Sequence, residues 1–366
     1  MSRNSNIELL RIVLMIFVIT LHYNGMSGHA MAFCNEGINF YFTRITESLS
    51  ICAVNCFMII SGFFLAFNKE IKLKRIFHIL GIVIGINFFT EFVHIAIARQ
   101  FSIKSLIRCF LPENYFSTFY IITYILSPFI NSVFDKIKDK KKTSYFISIL
   151  ITLFIIYPTL YDSITKHFDI TLSGLDTING AGLGNAGGYT IVNFIVMYSI
   201  GAYLRRFPSV FEKHKLLIIL SYILSVLIIF LNQLFVPETA LCYYNIFVVI
   251  NAICIFLIFL QFNFSLPAIN YVSKATLGVF CLHISAAADF LWERFNIQEA
   301  CLKSGGVIIN TIISVSVMTI ICYSCDLLLQ IIIKPIRNLM NKSVLYNKTI
   351  SFEDSETGEN NALSSK

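Results

Sequence analysis

The stretch Ile7–Tyr23, IELLRIVLMIFVITLHY, decides how the chain is read. It is apolar and long enough to begin crossing a bilayer, yet it carries Glu8, Arg11 and His22. Ionisable groups at membrane depth are costly and seldom persist without a task. Arg11 and His22 stand eleven residues apart. On a helix that is three turns plus about 20°, so both lie on one face, roughly 16 Å apart along the axis. Glu8 sits one turn before Arg11, in reach of an i,i+3 pair. The spacing alone leaves two readings open. One is a column of acid, base and imidazole running toward the bilayer centre. The other puts Glu8 and Arg11 at one interface and His22 at the opposite one, with snorkelling side chains.

The 366 residues are 56% hydrophobic and 13% charged, with mean hydropathy +0.73. A soluble domain carries about 25% charged residues. The apolar runs are long and do not alternate, which predicts an all-α polytopic membrane protein. The first segment is followed by Tyr23-Asn24-Gly25 and holds charges, so it reads as a retained helix and not as a cleaved signal. The ten cysteines are scattered, mostly inside apolar segments, and read as small apolar residues. No metal-ligand spacing is evident, so no metal site is expected.

Ten hydrophobic segments are drawn, at 7–25, 45–67, 76–98, 115–134, 144–161, 189–204, 215–236, 242–261, 271–291 and 306–333. With the N-terminus in the cytoplasm, twenty of the 28 Lys and Arg fall on the cytoplasmic side, seven outside, and Arg11 within the first helix. That is a positive-inside bias with both termini cytoplasmic. The net charge of +7 follows from these loops and calls for no nucleic acid. The expected division is a transmembrane domain over 1–342 and a disordered cytoplasmic tail over 343–366.

Some segments carry polar groups: Asn87, Glu91 and His94 in the third, His283 in the ninth. Such groups suit either an enclosed cavity or interhelical hydrogen bonding. For Glu91 and His94 the second reading is preferred. The Gly- and Asn-rich loop 162–188 reads as a lid or as a plain connector. No internal repeat and no appended soluble domain are detected.

Several blocks resemble the type 3 membrane acyltransferase family. The opening matches its acidic-x-x-Arg, ten residues, then His, as Glu8, Arg11 and His22. VNCFMIISGFFLAF is similar to its Phe-Phe-x-x-Ser-Gly-Phe block, with Ser61, Gly62 and Phe63 in place and Met58 for one aromatic. KLKRIFHIL resembles its Arg-x-x-Arg block, with Arg75 matching and His78 in place of the second Arg. YFSTFYIITYILSPFIN carries Tyr120, Tyr124, Ser127 and Pro128, with Tyr115 in place of a Trp. MYSIGAYLRR, ending in Arg205-Arg206, and SKATLGVFCLHIS, with Thr276, Gly278 and His283, complete the set. The blocks run in order from residue 7 to about 285 on a ten-helix plan.

The resemblance implies transfer of an acyl group, usually acetyl, from cytoplasmic acyl-CoA to a hydroxyl of a cell-surface or lipid-linked glycan. The setting it implies is the bacterial plasma membrane, among membrane lipid. A sugar hydroxyl needs a base as it attacks a thioester, and His22 suits that role. A transient acyl-His is the other scheme. Arg11 keeps its charge, to hold the donor or steady developing negative charge, with Glu8 orienting it. Lys72, Lys74, Arg75, His78, Arg205 and Arg206 are the expected contacts of the acetyl-CoA head group, though the basic ones also serve topology. Ser61, Tyr120, Tyr124 and His283 are expected in the substrate cavity wall. A rival from another class is a carrier or flippase for a lipid-linked sugar. Arg-x10-His is not needed for transport, and the half-repeats common in transporters are absent from the sequence.

Overall fold

In the computed structural model, described residues are 5–99, 101–111, 114–168, 170, 187–208 and 214–352. The chain opens with α1 (Ser5–Asn24), then α2 (Ala30–Phe33), α3 (Gly37–Ser50) and α4 (Ala53–Leu65). After β1 (Glu70–Lys72) come α5 (Leu73–Ala98), α6 (Ile103–Arg108) and α7 (Tyr115–Ile137). Next, α8 (Lys140–Ile151) runs through a π turn at Thr152–Ile156 into α9 (Tyr157–His167). There follow α10 (Ile191–Arg206), α11 (Lys215–Phe235), α12 (Pro237–Ala240) and α13 (Ile246–Leu260). The last third holds α14 (Pro267–Val272), α15 (Thr276–Leu282), α16 (Ala286–Arg294), α17 (Ile297–Cys301), α18 (Gly306–Met340), α19 (Val344–Asn347) and β2 (Thr349–Ser351).

Seven spans among the described residues are long and apolar enough to cross a bilayer, with α3–α4 and α8–α9 each counted as one. An eighth is counted if the pair 267–282 and 286–301, bent by 88°, is one broken span. The other segments of the expected ten are this bent pair and two shorter helices. The 189–204 segment yields a helix of only 16 residues and the 242–261 segment one of 15. The ninth segment breaks at 283–285, where the Ser285 hydroxyl accepts from Ala288 N and starts a new helix.

Side-chain caps set several other starts. Asn114 Oδ1 accepts from Phe116 N and Ser117 N to begin α7, and Asp139, Thr190 and Asn245 cap α8, α10 and α13.

At the middle of the bundle α4 and α10 meet backbone to backbone. A Cβ on Gly62 would lie 1.9 Å from Tyr198 O, and one on Gly201 would lie 2.1 Å from Ile59 O. No side chain larger than hydrogen fits at either position, the small-residue logic of membrane helix packing. Tyr198 Oη then donates to Leu65 O at 3.0 Å, at the C-terminus of α4.

Two expectations are revised by these elements. The tail from 343 is ordered at its start. There α19 caps on Ser343, and β2 pairs antiparallel with β1, Glu70 facing Ser351 and Lys72 facing Thr349. Residues 353–366 lie outside the described residues, as do 169 and 171–186 of the loop read as a lid or a plain connector. Cys34 and Cys301, read as small apolar residues, form a disulfide that ties the segment after α2 to α17.

Candidate active site

The site is built on α1 and on the break between α15 and α16. His22 lies in the last turn of α1, and its ring meets that of His283 edge to face, centroids 4.7 Å apart and planes at 83°. His283 is fully buried. Its Nδ1 lies 3.0 Å from Val279 O, so Nδ1–H donates to that carbonyl and the lone pair falls on Nε2. Nε2 is buried with no hydrogen-bond partner among the described residues. A buried acceptor of this kind costs free energy unless something donates to it. The backbone carbonyl of His283 accepts from Trp292 Nε1 at 3.1 Å, which fixes the break. Ser27 Oγ lies 3.4 Å from His22 Nδ1. A Ser27 oxygen accepting from Nδ1–H leaves Nε2 of His22 free to take a proton.

At the other end of α1, Arg11 Nη1 pairs with Glu8 Oε1 at 3.3 Å, the i,i+3 pair that the spacing predicts. Glu8 is buried and Arg11 half-buried. The guanidinium also lies 6.0 Å over the ring of Phe64. Glu8, Arg11 and His22 therefore form the expected column on one helix.

The tyrosines of α7, with Ser127 and Asn131, bond to the segment that follows α4. Ser127 Oγ accepts from Asn68 Nδ2 at 3.1 Å, and Tyr124 Oη accepts from Lys72 N at 2.9 Å. Asn131 donates to Leu65 O and Asn68 O at 2.7 and 2.9 Å. Tyr120 Oη accepts from Arg75 Nη2, and the Arg75 guanidinium lies 4.6 Å over the Tyr124 ring. Positions 120, 124, 127 and 131 share one helix face, and that face holds the segment 65–75 in place. Ser61 donates back to Phe57 O at 2.9 Å within its own helix.

The basic residues are spread over separate places. Lys74 lies 5.7 Å over the Tyr346 ring, and His78 lines a small pocket with Gln330, Arg337 and Tyr346. Arg206 is committed to structure: Nη1 pairs with Asp135 at 2.6 Å and Nη2 donates to Ala66 O at 2.6 Å. Arg205 lines a cavity of about 360 Å³ with Lys215, Gln261, Phe63, Leu257 and Leu260. Its guanidinium lies 5.0 Å over Phe63, whose ring is 5.5 Å from that of Phe64. A line of ring contacts thus joins Arg205 to Arg11.

Some groups near the site escape a reading of the sequence. Glu47 is buried and accepts from Asn24 Nδ2 at 3.0 Å, two residues beyond His22. Asp326 of α18 is buried against Gly278, where a Cβ would lie 1.7 Å from its Oδ1. The Gly of Thr-x-Gly makes room for that carboxylate. Tyr115, standing where the family pattern has Trp, packs 4.8 Å from Tyr189, which in turn packs 4.6 Å from Tyr243. Among the described residues no group of three or more His, Cys, Asp or Glu is placed to hold a metal ion.

A bundle of apolar spans with an imidazole pair at the break of one helix and an Arg–Glu pair on another defines a multi-pass membrane protein with a buried polar centre. The acyltransferase-domain model of the type 3 family matches residues 4–327, and the chain belongs to that family of membrane acyltransferases. No curated protein and no solved structure matches the chain.

Proposed function

We propose that the protein moves an acyl group, acetyl by family default, from cytoplasmic acyl-CoA to a hydroxyl of a cell-surface or lipid-linked glycan at the bacterial plasma membrane. The observation that carries this is the column Glu8–Arg11–His22 with the His283 ring against its far end. The near end is linked through Phe64 and Phe63 to the Arg205 cavity, whose apolar residues and two cations suit a purine and phosphates. The CoA arm would run from there along α1, a path of about 16 Å from Arg11 to His22.

The acceptor hydroxyl attacks the thioester carbonyl while His22 Nε2 takes its proton. The tetrahedral oxyanion collapses, the C–S bond breaks, and the CoA thiolate leaves. The proton held on His22 goes to that sulfur. His283 Nε2 is the buried acceptor that a second substrate hydroxyl would satisfy.

The disulfide supports the orientation. Disulfides persist on the oxidising side of a membrane, and Cys34 and Cys301 both lie in segments that the Lys and Arg count assigns to the outside. The test is sided supply of donor. Sealed vesicles of known orientation, with and without the protein, receive radiolabelled acetyl-CoA on one face only. The expected result is label in glycan only with protein and only from the cytoplasmic face. Label that needs acetyl-CoA on the outer face would contradict the proposal.

A further inference from the structure

A second polar cavity is lined by residues on both sides of His283 at the helix break, and nothing above gives it a role. It measures about 380 Å³ and lies between α5, the α6 segment, the start of α7 and the break. This is within the range of small-molecule sites, about 300–1,000 Å³. Cys281, Ile284, Ser285 and Ala286 bracket His283 in the chain and line one wall. Asn87, Thr90, Glu91, Ser105 and Arg108 line the cavity too.

Glu91 stands out. It is half-buried in a membrane span, and among the described residues it has no hydrogen bond and no ion pair. His94, one turn on, packs 6.0 Å from the Phe290 ring, while Glu91 lacks, among the described residues, the interhelical hydrogen bond expected of it. An unpaired carboxylate at that depth is a functional group until shown otherwise. Beside it Asn114 lines the same cavity. Its Oδ1 is spent on capping α7, and its Nδ2 is buried with no partner among the described residues. Asn87 is spent differently. It donates to Leu111 O at 3.2 Å and to Cys109 O at 3.4 Å, which holds the wall at 105–111 against α5.

We infer that this cavity is the acceptor site and that Glu91 anchors a sugar ring there through its vicinal hydroxyls. The inference rests on the acyl-transfer reading above and adds where the acceptor sits and what holds it. A carboxylate accepts two hydroxyls at once, and an amide N–H₂ donates to a third oxygen. Ser285, two residues after His283, lines this cavity and donates to Leu282 O at 2.7 Å, so the wall of the cavity is the same chain segment that carries the buried imidazole.

The test uses membranes of cells lacking the native gene, complemented with wild type, Glu91→Gln, Ser105→Phe or, as a control on an exposed loop, Glu36→Gln. Protein levels are matched, and the probes are radiolabelled acetyl-CoA and the glycan those membranes carry. Glu91→Gln is expected to cut labelling about tenfold or more, the size of a lost hydrogen bond to a charged group. The acetyl-CoA concentration at half-saturation stays unchanged. Ser105→Phe fills the same cavity from α6 and has the same effect, whereas Glu36→Gln has none. Unchanged labelling in Glu91→Gln and Ser105→Phe would overturn the inference and leave acyl transfer standing. So would a shift in acetyl-CoA half-saturation, which places the cavity on the donor. No labelling with wild type overturns the acyl-transfer reading, and this inference with it.

Discussion

The rings of His22 and His283 meet edge to face with centroids 4.7 Å apart, although one ends the first helix and the other sits at the break of the last bent pair. Two imidazoles placed together in a membrane bundle are an expensive arrangement, and their roles differ. His22 has one nitrogen beside a serine hydroxyl, while His283 is locked to its own helix through Val279 O. His283→Ala is expected to lower acyl transfer about tenfold by leaving the acceptor without a hydrogen-bond partner. The loss falls on acceptor saturation and spares half-saturation by acetyl-CoA. An unchanged acceptor dependence would make His283 a packing residue.

The glycines at the α4–α10 contact give a prediction of opposite signs. Gly62→Ala and Gly201→Ala force a methyl into facing backbone and are expected to cost about 1–3 kcal/mol or more. Gly81, in α5, has open space where a Cβ would go. Gly81→Ala is expected to be neutral or to stabilise by up to ~1 kcal/mol through helix propensity. Thermal unfolding in detergent, followed by size-exclusion fluorescence, orders the three. Tolerance of alanine at 62 and 201 would contradict the contact.

How much of this is written locally in the chain can be judged from particular residues. The Glu8–Arg11 pair and the column to His22 follow from helical spacing alone, because all three lie on one helix. The helical character of every segment follows from hydropathy. Three features do not follow. The Cys34–Cys301 link joins positions far apart in sequence; both lie in outer loops between the drawn segments, but so does Cys109, and that placement names no pairing. The start of the tail looks disordered by composition, yet its strand is completed by β1, whose partner no local pattern names. The break at 283–285 lies inside an apolar run, and only Ser285, one residue before Ala286-Ala287-Ala288, hints at a new helix start. Tyr120, Tyr124 and Ser127 were legible as a motif, while their task of holding 65–75 depends on the loop they meet.

The disulfide gives a prediction about both stability and sidedness. Cys34→Ser with Cys301→Ser is expected to lower stability by about 2–5 kcal/mol. Wild type in intact cells should resist a membrane-impermeant maleimide until an impermeant reductant is added, and then label at these two positions. Immediate labelling without reductant would show free thiols and remove the link.

The account stands or falls on His22 as the base. Membrane vesicles carrying wild type or His22→Ala at matched levels, given radiolabelled acetyl-CoA on the cytoplasmic face, decide it. The predicted result is label in glycan with wild type and a loss of at least ~100-fold in the variant, the range of general-base catalysis. Equal labelling in the two would contradict it and take His22 out of the mechanism.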